Sequence, residues 1–127
     1  MREAFETGIP PTKSPLEWAV RADGILYTAL IATKSDGSLE SGDITAQTTR
    51  TLDNLRQVLD AAGGTMADVT QVLIYLTDGA DAPAMNAIYG TYFDEPFPNR
   101  STVVISALLA PGAIIEIVAY AHVGKNG

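Results

Sequence analysis

Apolar residues recur at spacings of three and four along residues 43–62, which predicts one long amphipathic helix. Polar residues, Gln47 and Asn54 among them, fill the remaining positions, and we expect them to cover the solvent side of the helix. Asp43 or Ser41 is expected to cap its first turn. The predicted apolar stripe consists of Ile44, Thr48, Leu52, Leu55, Val58, Leu59 and Ala62.

Short apolar runs elsewhere in the chain predict a sheet. A second helix is predicted over residues 82–93, with its aliphatic and aromatic side chains turned inward. In the run that follows the first helix, Val69, Leu73 and Tyr75 are expected to share one face. The predicted strands cover residues 18–20, 24–32, 68–76, 101–108 and 113–123. The order β-β-α-β-α-β-β predicts an α+β fold in which two helices cover one face of a single mixed sheet.

The last two predicted strands are apolar on both faces. Residues 103–105 and 114–119 contain almost no polar side chains. Because two helices cover only one face of the sheet, another subunit has to cover the second face. We therefore expect a homo-oligomer, whose order the pattern alone leaves open.

Composition narrows the possible chemistry. The chain has 127 residues, 46% of them hydrophobic, which is typical of one globular domain over residues 1–127. It has no cysteine and a single histidine, His122, which excludes Cys-based and multi-histidine metal sites. A carboxylate-rich magnesium or calcium site stays open, but no D-x-D-x-D-G-like run supports one, so we expect neither a metal nor a cofactor. The net charge of −7 argues against nucleic acid as a partner. No run is long enough to span a membrane, so we expect a cytoplasmic protein.

Glu116 is the most unusual residue of the last strand. It interrupts the least polar stretch of the chain and is expected to share a face with Ile114, Val118 and Tyr120. A buried carboxylate must be paired, hydrogen-bonded or protonated. Glu116 is therefore either a structural residue, at an edge or in a salt bridge, or a functional carboxylate.

Arg100 stands where a loop enters a strand, a position at which binding sites often form. Its guanidinium has the planar fork that suits a ligand carboxylate. A surface arginine, or a partner for Glu116 alone, is the simpler interpretation. Asn86 is likewise either a site residue or an ordinary amide on a helix surface. Tyr89 is expected to be a core residue.

Five motifs resemble those of the Rid family (reactive intermediate deaminase, YjgF-like). Their order and spacing span nearly the whole chain, from about residue 14 to residue 121. The matches are F-P-N-R-S at 97–101 to the family's F-P-A-R-S, Q-x-x-x-x-L-x-N-L at 47–55, A-G-x-x-x-x-D-V at 62–69, N-x-x-Y-x-x-Y-F at 86–93, and I-E-I-x-A-x-A at 115–121.

The resemblance implies a chorismate-mutase-like fold and a homotrimer with sites between subunits. It also implies that the protein hydrolyses enamines and imines such as 2-aminoacrylate to 2-keto acids and ammonia. Arg100 would then hold the substrate carboxylate and Glu116 would orient the attacking water. The same resemblance makes Thr102 and Asn86 candidate substrate-binding residues, the former through its backbone amide.

Three motifs depart from the family pattern. The G-P-Y segment is replaced by residues that end in Leu16, so the usual tyrosine is absent. The S-G-Q-I-P segment begins here with Thr28 and Ala29, and Thr102 stands where a cysteine is frequent. Leu16, Thr28 and Ala29 remain candidate substrate contacts, but the departures imply a different or larger hydrophobic substrate, or lost activity.

Two functions therefore remain open. The first is an enamine or imine deaminase, and residues 63–70 resemble the pyrimidine-breakdown branch, which acts on 3-aminoacrylate. The alternative is a non-catalytic trimer that binds small carboxylates or a protein, which the apolar Leu16 and Leu30 favour. Endoribonuclease activity, ascribed to some relatives, is disfavoured by the acidic charge and the lack of a histidine pair.

Overall fold

The computed structural model describes residues 1–123, so the last four residues of the expected domain lie outside it. A single six-stranded sheet has the order β1-β2-β3-β6-β4-β5, in which only β4 and β5 run parallel. The strands are β1 (Glu3–Ala4), β2 (Ala19–Ala22), β3 (Ile25–Leu30), β4 (Val69–Leu76), β5 (Asn99–Val104) and β6 (Ile115–His122); the helices are α1 (Ile44–Ala61) and α2 (Ala82–Tyr89). The mixed sheet with two helices is confirmed, and the two-residue β1 is an addition to it.

One face of the sheet packs against the helices, and we call it the helix face. Alternate residues of β3, β4 and β6 are buried there, as the period of two in a strand requires. The whole predicted stripe of α1 is buried against them. The strand residues of this core are Leu26, Leu30, Val72, Ile74, Leu76, Ile115, Ile117, Ala119 and Ala121.

The first helix differs from its prediction on its polar side. Asp43 caps it by accepting a hydrogen bond from the backbone of Ala46. Gln47 and Asn54, expected at the surface, are instead buried. Buried amides need partners, and both find them in loop backbone. The Asn54 amide donates to the carbonyl of Thr33 at 2.9 Å.

Several element boundaries also differ from the prediction. The second helix ends at Tyr89 and not at residue 93, although Met85, Tyr89 and Phe93 are buried as expected. The strand predicted to end at residue 108 ends at Val104. Val69 was wrongly grouped with Leu73, because a register shift between residues 69 and 71 turns it into the core.

The opposite face of the sheet carries no layer within residues 1–123, and we call it the open face. Its side chains are half-buried or exposed and largely apolar. The rings of Tyr27 and Tyr120 meet edge to face on it, with centroids 5.6 Å apart. Its members are Tyr27, Ala29, Leu73, Tyr75, Val103, Glu116, Val118 and Tyr120. No helix among the described residues is long and apolar enough to cross a bilayer.

Candidate active site

Glu116 lies on the open face, near one end of β6. The strand alternates as predicted, so Ile115 and Ile117 enter the core while Glu116 projects the other way, next to Tyr75 of β4. The carboxylate is half-buried, and within residues 1–123 it has neither an ion-pair nor a hydrogen-bond partner. Loss of solvent raises its pKa above the ordinary value of 4.5.

A groove with a volume of about 650 Å³ opens beside this carboxylate. Thr12, Ser14 and residues 16–18 form one wall, and residues 107–111 form the other. The predicted site residues Leu16 and Ala29 line it together with Glu116. The structure thus brings three of the predicted residues into one cavity.

Hydrogen bonds from buried or partly buried side chains fix both walls of the groove. The indole nitrogen of Trp18 donates to the carbonyl of Pro10 at 2.8 Å. The Gln47 amide nitrogen donates to the carbonyl of Gly112 at 2.9 Å, and its oxygen accepts from the backbone of Ile114 at 3.0 Å. Gln47 thereby joins α1 to the segment between the second wall and β6.

Arg100 lies on the opposite side of the sheet from this groove. It is the register partner of Val72, whose side chain is buried on the helix face, so the two side chains share that face. The guanidinium carbon is 4.7 Å from the centroid of the Tyr89 ring, a cation–π contact with the last residue of α2. Arg100 is exposed, and within the described chain it forms no ion pair with Glu116. The interpretation that pairs these two within one chain is therefore wrong.

Thr102 and Asn86 lie on the side of Arg100. Thr102 follows it by two residues on β5, so its side chain also points to the helix face. Asn86 is exposed on α2, one turn before Tyr89. This second cluster is open to solvent.

Thr28 does not reach the groove. Its side chain is buried on the helix face, and its hydroxyl donates to the carbonyl of Ala119 at 3.1 Å. Ala29 has the opposite orientation and lines the groove. The alternation of β3 turns the Thr28 hydroxyl into the core, and Thr28 as a substrate-binding residue stays a prediction.

Three residues of these clusters were not predicted as site residues. Tyr89 supports Arg100 while remaining part of the core, and its position three residues after Asn86 is the only signal in the sequence. Trp18 and Leu109 line the groove. Both belong to loops, whose mutual approach is set by packing, so no local pattern could have identified them.

The fold and the groove define a class: a small α+β protein with a half-buried carboxylate in a mostly apolar cleft on one face of its sheet and an exposed arginine on the other. Residues 9–123 match the family model described as Endoribonuclease L-PSP. A 3-aminoacrylate deaminase, RutC of Acinetobacter baylyi, is 40% identical over 118 residues, which cover 91% of this chain and 93% of that protein.

Solved structures agree with this match. The Rid-family protein YyfA of Yersinia pestis, whose function is unknown, superposes with a TM-score of 0.90 at 35% identity over 97% of this chain and all of its own. TdcF of E. coli, solved with bound serine, gives a TM-score of 0.84 at 25% identity over 94% of this chain and 96% of its own. The chain therefore belongs to the Rid (L-PSP endoribonuclease-like) family, and its chorismate-mutase-like fold is confirmed.

Proposed function

We propose that this protein hydrolyses enamines and imines derived from amino acids to 2-keto acids and ammonia. The observation that carries the proposal is Glu116, a carboxylate without a counter-charge at the floor of a groove. A carboxylate whose pKa is raised is a stronger base than one in water, so it removes a proton from water more readily near neutral pH. The deaminase relative at 40% identity supports the same reaction.

In the proposed reaction, Glu116 accepts a proton from water as the water oxygen bonds to the carbon of the protonated imine. An enamine first takes a proton from the solvent on its terminal carbon, which gives the same protonated imine. The addition product carries a hydroxyl and an amino group on one carbon. Glu116 returns the proton to that nitrogen, the carbon–nitrogen bond breaks and ammonia leaves. Loss of the hydroxyl proton gives the 2-keto acid, so water is the only co-reactant.

Arg100 is the proposed anchor for the substrate carboxylate. Two charge-assisted hydrogen bonds from a guanidinium hold a carboxylate in one orientation. Stacking on Tyr89 leaves the edge of the guanidinium free to donate. Asn86 and the backbone of Thr102 are on the same side and are proposed to complete the polar end of the site.

The complete site is proposed to form between subunits of a homotrimer. Arg100 and Glu116 project from opposite faces of one sheet, so a single copy does not bring them to one substrate. The open face is apolar and lacks a covering layer within residues 1–123. Packing it against a second copy would cover this surface and bring the arginine of one subunit to the glutamate of its neighbour.

A release assay tests the function directly. An amino-acid oxidase generates fresh imines from a panel of amino acids, and the appearance of ketoacid is followed above the spontaneous rate. We expect the wild type to accelerate release and Arg100→Ala to lower kcat/KM by about 100-fold or more, because hydrogen bonds to charged groups contribute about 1.5–3 kcal/mol each.

Arg56→Ala is the matched control. Arg56 is also an exposed arginine stacked on a tyrosine, with its guanidinium carbon 4.7 Å from the Tyr92 ring, but it lies on α1. This variant should retain wild-type rates. If no imine is hydrolysed faster than in buffer, the deaminase proposal fails.

The alternative of a non-catalytic binder has one observation in its favour. Leu16 lines the groove where the family pattern has a tyrosine, and its side chain offers no hydrogen bond. Calorimetric binding of small carboxylates, lost in Arg100→Ala, together with no turnover, would support this second function.

A further inference from the structure

The groove beside Glu116 is mostly apolar. Among residues 1–123, the charged side chains that line it are Glu17 and Glu116, and no Lys, Arg or His of this part of the chain does so. Its uncharged polar lining residues are Thr12 and Ser14. Its apolar lining consists of Leu16, Trp18, Ala29, Ile31, Ala107, Leu108, Leu109, Ala110 and Pro111.

This charge distribution orients a substrate. A substrate carboxylate would meet two carboxylates and no cation in the groove, which is repulsive at short range in a poorly solvated site. The carboxylate would therefore go to the Arg100 that the proposed assembly brings from a neighbouring copy, because the Arg100 of the same chain lies on the opposite face of the sheet. The imine nitrogen, cationic when protonated, is attracted to Glu116. The part of the substrate left for the groove is its side chain, and the lining requires that side chain to be uncharged.

Two leucines that line the groove, Leu16 and Leu109, are exposed to solvent. Leu16 is 51% exposed and Leu109 is fully exposed, at 100%. Exposed large apolar side chains that converge on one cleft mark a binding surface more often than isolated ones do. The only polar atom of the Trp18 side chain is already bonded to Pro10, so the wall adds apolar area without a free donor.

The volume favours a large side chain. About 650 Å³ lies in the range of about 300–1,000 Å³ that is usual for small-molecule sites. A three-carbon imine would leave most of this space to water, in contact with apolar walls. A branched or aromatic side chain would displace that water and gain contact with both leucines.

We propose that the preferred substrates are imines of amino acids with large apolar side chains, and that Leu16 and Leu109 select the side chain. This inference rests on the proposed deaminase function and specifies its substrate class. One methylene in an apolar pocket changes kcat/KM by about 10-fold or more. The leucine-derived and phenylalanine-derived imines are therefore expected to exceed the alanine-derived imine by at least about 10-fold.

The test compares these three imines in the wild type and in Leu16→Ser, Leu109→Ser and the double variant. Both positions are exposed, so neither substitution opens a cavity in the core. We expect the preference for large side chains, taken as the ratio of kcat/KM values within each variant, to fall to about one in the double variant. Leu16→Met and Leu109→Met keep the apolar volume and should retain the preference.

Three results would overturn the inference. The first is a wild type that prefers the alanine-derived imine while hydrolysing it efficiently, which leaves the deaminase function intact. The second is a preference that survives in the double variant. The third is dissociation of the assembly in Leu16→Ser or Leu109→Ser, measured by light scattering, because the leucines would then be covered by another copy. Absence of turnover with every imine removes the proposed function, and the inference with it.

Discussion

The two faces of the sheet hold the two halves of the candidate site in opposite environments. On the open face, Glu116 is half-buried, without a partner among the described residues, and enclosed by two apolar walls. On the helix face, Arg100 is exposed on the edge strand and rests on the ring of Tyr89. The carboxylate of Glu116 is therefore partly shielded from water, whereas the guanidinium of Arg100 is exposed to it.

The difference follows from what each group has to do. A carboxylate acts as a base near neutral pH only when its pKa is raised, and a neighbouring guanidinium would lower that pKa and occupy the carboxylate. A carboxylate anchor, in contrast, needs a charge that stays free and oriented. Opposite faces keep the two groups of one chain from neutralising each other, and in the proposed assembly the substrate carboxylate would lie between the arginine of one copy and the glutamate of the next.

Mixing two inactive variants gives the largest expected effect. Arg100→Ala retains Glu116 and Glu116→Gln retains Arg100, so a mixed assembly contains interfaces where both groups are intact. A trimer that contains both variants has an intact pair at one of its three interfaces, so we expect the activity of mixed assemblies to rise from near zero to roughly a third of the wild type.

The measurement is ketoacid release by differently tagged variants that are co-expressed and purified through both tags. Mixing two differently tagged copies of Arg100→Ala is the control. Mixed assemblies that stay inactive would show that both groups act from one chain, which would contradict the proposed intersubunit site.

Glu116→Gln alone should lower kcat by about 100-fold, the usual contribution of a general base. In the wild type, kcat/KM should fall as pH drops through the raised pKa of Glu116, with the midpoint above 4.5. Glu17→Gln is the matched control, because Glu17 lines the same groove but is exposed. If kcat/KM of Glu116→Gln falls at low pH in the same way as that of the wild type, a group other than Glu116 causes the fall.

The same substitution should stabilise the protein. Because burial raises the pKa of Glu116 in the folded state, the unfolded chain releases this proton at lower pH than the folded chain does. Folding stability is therefore lost as pH rises from about the ordinary value of 4.5 through the raised pKa. At pH 7, Glu116→Gln should have a higher Tm than the wild type, and the difference should vanish at pH values well below 4.5.

Tyr89 gives the smallest expected effect. Tyr89→Leu removes the ring under the Arg100 guanidinium and should raise KM by about 10-fold with little change in kcat, consistent with the strength of a partly buried cation–π contact. Tyr89→Phe keeps the ring and should retain the wild-type KM. It should also raise Tm, because the Tyr89 hydroxyl is buried without a hydrogen-bond partner among the described residues.

Circular dichroism checks that both Tyr89 variants are folded before their kinetics are compared. If Tyr89→Phe raises KM as much as Tyr89→Leu, the hydroxyl and not the ring orients Arg100. In that case the Tyr89 hydroxyl would be a third polar group of the candidate site, besides Arg100 and Glu116.

Much of the fold could be predicted from local periodicity. The stripe of α1 and the alternation around Glu116 require only neighbours in sequence, so they were correct. Gln47 and Asn54 could not be predicted as buried, because their partners lie in loops far along the chain. For the same reason, Leu16 and Glu116 were separate candidates until the structure brought them together in one groove.

The sequence by itself determined the elements, the family and the residue types available for chemistry, because side-chain period and motif spacing are local properties. It determined that Glu116 and Val118 share a face of one strand, but not which face the helices cover. Only the tertiary structure decided that Arg100 projects to the helix face and Glu116 to the open face. Strand order and register make that choice, and they depend on how the whole core packs.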